Sequence, residues 1–379
     1  MRILHIAAVR FSKRNNHSIA GGISNSVPNL AQSQSENNNS VGIISTKKSD
    51  NPLTNEIYWN SVSEISLIKL IFSDPFVSIK NDFGLPDIIH THDVYEIKAM
   101  PFIYHALKRN IKVFISPRGN LSETALSRKR FKKAIFLNLV FSFFAKSIDG
   151  FVALNEGEKM IIKKRYKNNK VIVIGNGAED NQRWVSKYKN NYIQKMDKNI
   201  VNIGYLGRYE VHIKGLDLLM EAYSEYQRRV KEVKIKLTFI GDHSQKTNSK
   251  KYFKDIVSKL KDPSMFNING PLFNEEKFEQ ISNFDIFIHP SRSEGMPNAV
   301  LEAMSMSIPI MVTPGTNMGE IIKDSNSGWL VNTDSQSILE FLLEVHEADK
   351  KDMMKKGENG MKYAQNQLNW KEIGKITYS

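Results

Sequence analysis

The stretch HPSRSEGMPNAVLEAMSMSIPIMVTPGTNMGEII, His289–Ile322, decides how the rest of the chain is read. The apolar run just before it, Asp285–Ile288, has the length and composition of a buried strand. Pro290–Met296 then reads as a loop. Pro297 reads as a first helical residue, a position where a missing N–H is no loss. IPIMVT, Ile308–Thr313, reads as the next buried strand. Strand, loop, helix, strand is one parallel α/β unit. The loop and helix start are expected to present free backbone N–H groups from Gly295 through Ala299, at the positive end of a helix dipole, which suits a phosphate or a sugar hydroxyl. Two carboxylates flank this start: Glu294 in the loop and Glu302 inside the helix. A carboxylate accepts several hydrogen bonds and can grip vicinal hydroxyls. Two glutamates eight residues apart are common by chance. The same pair inside S-x-x-E-G-x-P-x-x-x-x-E-A-M, directly after a buried strand, is far more specific.

The same grammar runs outward in both directions. Strand candidates in the first half are Ile3–Val9, Val41–Ser45, Glu56–Asn60, Asp87–His92, Lys112–Pro117, Gly150–Leu154 and Val171–Gly175. In the second half they are Ile200–Leu206, Lys236–Gly241, Phe266–Asn269, Asp285–Pro290, Ile308–Thr313 and Trp329–Asn332. Helical stretches fit between them, so the fold class is parallel α/β. The 379 residues suit two domains at roughly 150 residues each. The stretch between Gly177 and Asn199 carries Arg183, Lys187, Lys189, Lys195 and Lys198 against few acids, and it lacks a strand pattern. It reads as a solvated linker. The expected division is therefore a first domain over 1–180, a linker over 181–198, a second domain over 199–365, and a C-terminal helix over 366–379 that returns to the first domain with Trp370 as an anchor. In open parallel sheets ligands sit at the carboxyl ends of strands, and with two such domains the cleft between them is the default site.

Composition removes several chemistries. The chain has no cysteine, so a disulfide framework, a thiolate metal site and a cysteine nucleophile are impossible. Hydrophobic residues make up 41% and charged residues 25%, ordinary for a globular protein. The formal charge of +13 favours an anionic partner: nucleic acid, a phosphorylated small molecule or an acidic membrane face. MRILHIAAVRF has no cleavage pattern behind its short apolar run and reads as a first strand rather than a signal peptide. The longest apolar run, Ala134–Ala145, is too short to span a bilayer. The reading is a cytoplasmic protein, soluble or peripheral.

Further polar groups gather near strand ends. Strand Ile200–Leu206 runs into Gly207-Arg208, and six residues later Lys214-Gly215 opens a helix. Arginine forks onto phosphate oxygens and lysine adds a mobile point charge. A leaving diphosphate needs such neutralisation, from cations or from a metal. Gly21-Gly22, after the first strand, permits close backbone approach to a ligand. His90 and His92 on strand Asp87–His92 are read as pointing to opposite faces, one of them core-packed, and not as a metal site. Arg118-Gly119 follows strand Lys112–Pro117. Arg128, Lys129, Arg130, Lys132 and Lys133 precede the apolar run Ala134–Ala145. That pairing suits an anionic membrane surface, or a helix packed on the first domain with a solvated basic end.

The Glu294-to-Glu302 segment resembles the retaining glycosyltransferases of family 4, whose hallmark is a Glu-x7-Glu motif in the second domain of the GT-B fold. The resemblance implies two facing Rossmann-like domains with parallel sheets and an interdomain cleft. It implies that Glu294 contacts the transferred sugar and Glu302 the ribose of a nucleotide-sugar donor. The donor loop would be Gly295, Met296, Pro297, Asn298 and Ala299, with Leu272 also at the donor. Arg208 and Lys214 match the family's pair that neutralises the diphosphate without a metal, so no metal cofactor is expected. Gly22 matches the family's glycine loop. Many members carry a histidine near position 118; here Arg118 stands in its place, and Arg118 and His92 are candidates for a sugar or acceptor contact. Where the family often has a glycine before the strand that follows the helix, this chain has Ser305, Met306 and Ser307. The implied activity is transfer of a hexose or N-acetylhexosamine, from UDP as the commonest carrier, to a lipid-linked glycan in bacterial surface polysaccharide synthesis (O-antigen, capsule or exopolysaccharide). The rivals are a GT-B enzyme acting on a soluble sugar phosphate, a nucleic-acid-binding protein and a two-domain small-ligand binder. For nucleic acid, the chain has neither an aromatic RNA platform nor zinc-finger spacing, and its bases are spread out.

Overall fold

Every strand read from the apolar runs is present in the computed structural model, which describes residues 1–12, 17–18, 22–49, 57–77, 79–80, 82–127, 130–188, 199–243, 248–375 and 378. The chain divides into two compact units, Met1–Gly177 with Leu368–Ser379, and Ala178–Gln367.

In the first unit, β1 (Arg2–Ala7), β2 (Ser40–Ser45), β3 (Ile57–Ser61), β4 (Ile88–His92), β5 (Lys112–Ser116), β6 (Gly150–Ala153) and β7 (Val171–Val173) form one sheet in the order β3-β2-β1-β4-β5-β6-β7. Every pairing in it is parallel. Parallel strands must be covered on both faces, and β1 from Ile3 on and all of β4 are buried, the histidines and Thr91 of these strands included. One face packs against a core that includes Leu4, Ile6, Ile89, Phe102, Val113, Ile115 and Phe141. Helix α1 (Gly22–Glu36) joins β1 to β2. A short antiparallel pair, Phe11–Ser12 with His17–Ser18, was not legible in the sequence.

The second unit repeats the plan. Strands β8 (Val201–Leu206), β9 (Ile235–Ile240), β10 (Phe266–Asn269), β11 (Ile286–His289), β12 (Ile310–Val312) and β13 (Gly328–Leu330) run in the order β10-β9-β8-β11-β12-β13. Its core gathers Ile203, Tyr205, Leu219, Tyr223, Leu237, Phe239, Ile288 and Leu342, among others. Helix α2 (Leu216–Arg229) follows β8, α3 (Asn274–Ser282) precedes β11, and α4 (Asn298–Ser305) links β11 to β12. In each sheet the order reverses beside the first strand, between β1 and β4 and between β8 and β11. That reversal opens a crevice at the carboxyl ends, where open α/β sheets bind ligands.

Three local readings change. Helix α4 starts at Asn298, and Pro297 is the residue before it, in extended conformation (φ −75°, ψ 118°). The stretch 181–198 opens with a helix, Gln182–Lys187, whose Trp184 stacks on Phe278 of α3 at 5.5 Å; Lys189, Lys195 and Lys198 lie outside the described residues. The final segment is not one helix over 366–379: α5 (Lys350–Gln367) ends, and among the described residues after it only Trp370–Ile373 is helical, capped by the Asn369 side chain accepting from Glu372 N.

Candidate active site

The crevice of the second unit is built by two loops. The first, Gly207–Gly215, leaves β8; the second, Pro290–Pro297, leaves β11. They are tied together. Arg292 N donates to Ile213 O at 2.8 Å, and the Arg292 guanidinium forks onto Asp217 at 2.6 and 2.9 Å. Gly215 has φ 65°, and an added Cβ would overlap the Pro290 carbonyl, so only glycine permits this approach.

Glu294 is the hub. Its Oε1 accepts from Lys214 Nζ, from His289 Nε2 at 3.0 Å and from Ser291 Oγ at 3.1 Å. Burial pushes this carboxyl up, but the Lys214 ammonium and the His289 hydrogen bond overcome it and hold the group well below the usual carboxylate range. His289 ends β11, stacks on Tyr205 and is fully buried; burial lowers its pKa against the pull of Glu294. An imidazole that donates through Nε2 keeps Nδ1 as an acceptor, and that atom has no partner among the described residues. The peptide of Glu294 is fixed too: its N–H donates to Gly315 O, and its carbonyl accepts from Asn317 Nδ2.

Glu302, one turn along α4, pairs with Lys277 of α3 at 3.0 Å. Arg208 projects to solvent with 63% of its side chain exposed, 3.7 Å from Glu210. Gly295, Met296 and Asn298 each already have an interaction partner. Met296 and Pro297 are buried, Ala299 is half-buried, and Leu272 lies half-buried on the loop between β10 and α3.

In the first unit, the expectation that His90 and His92 point to opposite faces is wrong. Side chains alternate along a strand, so residues two apart share a face. His90 and His92 stand 4.1 Å apart between ring centroids, with His5 of β1 beside both. The ligand atoms of the three lie within 4.8 Å of one another, yet every ring nitrogen is already committed. Arginine can only donate, so Arg118 Nε gives to His92 Nδ1 at 3.0 Å. His92 Nε2 then donates to His5 Nδ1 (2.9 Å), and His5 Nε2 to Gln34 Oε1 (2.8 Å). Gln34 Nε2 donates to the Tyr378 hydroxyl (3.0 Å), which donates to His90 Nδ1 (2.9 Å). His90 Nε2 ends the chain on Ser116 Oγ at 2.7 Å. One proton order satisfies all of these bonds with every imidazole neutral. Burial agrees, pushing His5 down to about 4 and His90 and His92 well below their usual range.

This chain orients Arg118. Its Nη1 is held by Ser26 of α1 (2.9 Å) and by Asn176 (3.2 Å), and its backbone is left-handed, φ 52°. A bulky residue there costs about 1–2 kcal/mol. His92 is fully buried, so it acts through Arg118 rather than by its own reach. Gly22 opens α1 with open space where a Cβ would stand; Gly21, Arg128 and Lys129 lie outside the described residues.

Two family models match the chain: Glycosyltransferase Family 4 over residues 20–182, and glycosyl transferases group 1 over residues 200–347. The chain belongs to the group 1, family 4 glycosyltransferases. Among curated relatives, this glycosyltransferase is 23% identical to an uncharacterised 41.2 kDa protein in the cps region of Klebsiella pneumoniae, over 90% of this chain and 89% of that one. It is 24% identical to the capsular polysaccharide biosynthesis glycosyltransferase CapM of Staphylococcus aureus, over 70% of each. Among solved structures, sucrose-phosphate synthase from Thermosynechococcus elongatus superposes with a TM-score of 0.74 at 17% identity, covering 99% of this chain and 96% of that one. HepE of Anabaena, solved with UDP, gives 0.70 at 14%, covering 99% and 97%. At such identities these likenesses speak for the fold, which is GT-B.

Some polar groups of this glycosyltransferase were not singled out from sequence. His289 sits inside the quoted stretch but reads as a strand end. Lys277 had no motif to mark it, Ser291 opens the quoted motif without having been given a role, and the Arg292–Asp217 fork joins residues far apart in the chain. Asp93 is another: it follows β4 with φ 108°, and burial pushes its carboxyl up to about 6. Strained backbone and a displaced pKa at a strand's carboxyl end mark functional candidates. Its position directly after His92, at the end of a parallel strand, was the available signal.

Proposed function

We propose that the chain transfers a hexose or N-acetylhexosamine from a nucleotide sugar, with UDP as carrier, to a lipid-linked glycan acceptor, with retention at the anomeric carbon. The setting is bacterial surface polysaccharide synthesis at the cytoplasmic side. The relatives named for capsule synthesis and the neighbour solved with UDP support the setting and the carrier. The observation that carries the reading is the Lys214–Glu294–His289 cluster at the strand-order reversal of the second unit.

In this reading Glu294 stays ionised and accepts hydrogen bonds from the sugar hydroxyls. Lys214 and the exposed Arg208 neutralise the diphosphate as it departs, with Gly295–Ala299 around it and Leu272 and Glu302 toward the nucleoside. The bond from the anomeric carbon to the diphosphate oxygen breaks while the acceptor oxygen bonds to that carbon on the same face. The acceptor proton passes to the departing phosphate oxygen. This charge handling comes from side-chain cations, so no metal cofactor is required. The first unit serves the acceptor, with Gly22 and Arg118 as contacts and His92 behind Arg118.

Thermal unfolding with UDP, GDP, ADP and a panel of nucleotide sugars tests the donor site. A ligand at about 100 times its dissociation constant adds about 2.7 kcal/mol. Stabilisation by one base series, lost in Arg208→Ala, supports the reading and names the nucleotide. Stabilisation by none of them, or full turnover in Glu294→Gln, rejects it.

A further inference from the structure

Residues 130–146 form a helical segment with two opposite edges. Leu137, Phe141 and Ala145, each four residues on from the last, are buried in the core of the first unit. Phe131, Ile135, Leu139 and Phe143, spaced in the same way, stand 85%, 60%, 73% and 70% exposed. In a regular α-helix a four-residue step overshoots a full turn by about 40°, so three such steps would swing a row about 120° around the axis. Here the α-helical turns Arg130–Ile135 and Ser142–Ala145 flank a π-helical turn, Phe136–Phe141. The wider turn takes back the overshoot and keeps the outer row straight.

The charge along this segment has one sign. No acidic residue occurs from Arg130 to Lys146, and Arg130, Lys132 and Lys146 are exposed. The last turn of helix Glu156–Arg165 adds Lys163, Lys164 and Arg165, and Arg165 Nη2 donates to Asn138 Oδ1 at 2.8 Å, placing that basic turn beside the row. Lys133 turns inward, over the Tyr95 ring and onto Ala125 O. An outer row of aromatic and aliphatic side chains with an all-basic border matches the boundary between acyl chains and anionic headgroups. A protein partner would be expected to meet at least some acid in so long a border.

We infer that Phe131, Ile135, Leu139 and Phe143 insert into an anionic lipid surface, with Arg130, Lys132, Lys146 and Arg165 on its headgroups. No helix of the described residues is long and apolar enough to cross a membrane, so the contact is peripheral. The inference deepens the reading of a lipid-linked acceptor, and the two fail separately, because nucleotide stabilisation is measured without lipid.

The test is co-sedimentation of the full chain with vesicles of phosphatidylcholine alone and of phosphatidylcholine mixed with phosphatidylglycerol. Binding to the anionic mixture should exceed that to the neutral vesicles by about tenfold or more, and fall as salt rises. The triple variant Phe131→Ser, Leu139→Ser, Phe143→Ser should lose it, and so should Arg130→Glu, Lys132→Glu, Lys146→Glu. All six side chains are exposed, so both variants should unfold at the wild-type temperature. No sedimentation with anionic vesicles, or undiminished binding by the serine variant, overturns the inference. So does a wild-type dimer that the serine variant lacks, without vesicle binding, because a second copy would then cover the row.

Discussion

Ser307 shows how a residue missing from a pattern reappears as geometry. It stands just before β12, where similar enzymes often carry glycine, and it adopts φ 60°, a conformation that a side chain resists and glycine does not. Ser307→Gly relieves that strain and gives back part of the gain through a freer unfolded chain. The expected net effect is a stabilisation of up to about 1 kcal/mol, read as a higher unfolding midpoint in urea; a lower midpoint would refute the strain argument. Glu294 and Lys214 were legible for a different reason. Each follows a strand by a short loop, and the resemblance of the motifs around them placed both at the donor. Lys277 was not, because its pairing with Glu302 exists only once α3 and α4 fold together, and His289, five residues before Glu294, reads as a strand end.

At the scale of elements, β1, β4, β8 and β11 were readable because buried parallel strands are rich in β-branched and other apolar residues, even where His5, His90, Thr91, His92 or Asn202 interrupts them. The loops they position were readable only where glycine or proline marked a turn. The Arg292–Asp217 fork had no such mark, yet it braces the loop after β11 against α2. Arg292→Ala leaves Asp217 half-buried without this partner. It should lower stability by about 2 kcal/mol and raise KM for the nucleotide sugar more than it lowers kcat, since the loop loses its brace and not its reacting groups. Steady-state kinetics beside urea unfolding check this; an unchanged KM would mean that the loop holds its shape unaided. The His5–His90–His92 assembly was misread because a two-residue spacing was taken as alternation. Even a correct face would not have disclosed that Gln34 and Tyr378 complete it.

Across the whole molecule, acid and nucleotide should act mainly on different units. Acid acts most on the first, where three buried histidines with lowered pKa stand against one, His289, in the second. His5 has a folded pKa of about 4 against an ordinary value of 6.5, so between those values the unfolded chain takes up the proton first. Its contribution is intact above about pH 6.5 and is lost as pH falls toward 4, amounting to about 2 kcal/mol by pH 5 from His5 alone. His90 and His92 add to it in the same direction. The groups around them reinforce the effect: Arg118 opposes any new positive charge, and Glu158 spends its carboxylate on the amides of Gly119 and Leu154. Hydrogen exchange at pH 7.5 and pH 5 should show protection falling in β1, β4 and β5 well before β8 and β11. Equal loss in both units would contradict the assignment. Nucleotide should instead raise protection in β8, β11 and α4.

The first unit is closed by residues that follow the second in the chain. Trp370 covers Gly177, Ser33 Oγ donates to Trp370 O, and Tyr378 and Ile373 join Ile3, Leu30, Ile88 and Phe114 in one apolar cluster. A ribosome making the chain at roughly 5–20 residues per second finishes every strand of the first sheet and then must deliver all of Ala178–Gln367 before the closing piece emerges. Over that interval, roughly tens of seconds at most, the nascent first unit carries a bare apolar face and two polar groups, Gln34 Nε2 and His90 Nδ1, still awaiting the tyrosine. The product of this translation therefore assembles out of order, and the nascent chain offers a holding chaperone a defined surface on which to wait.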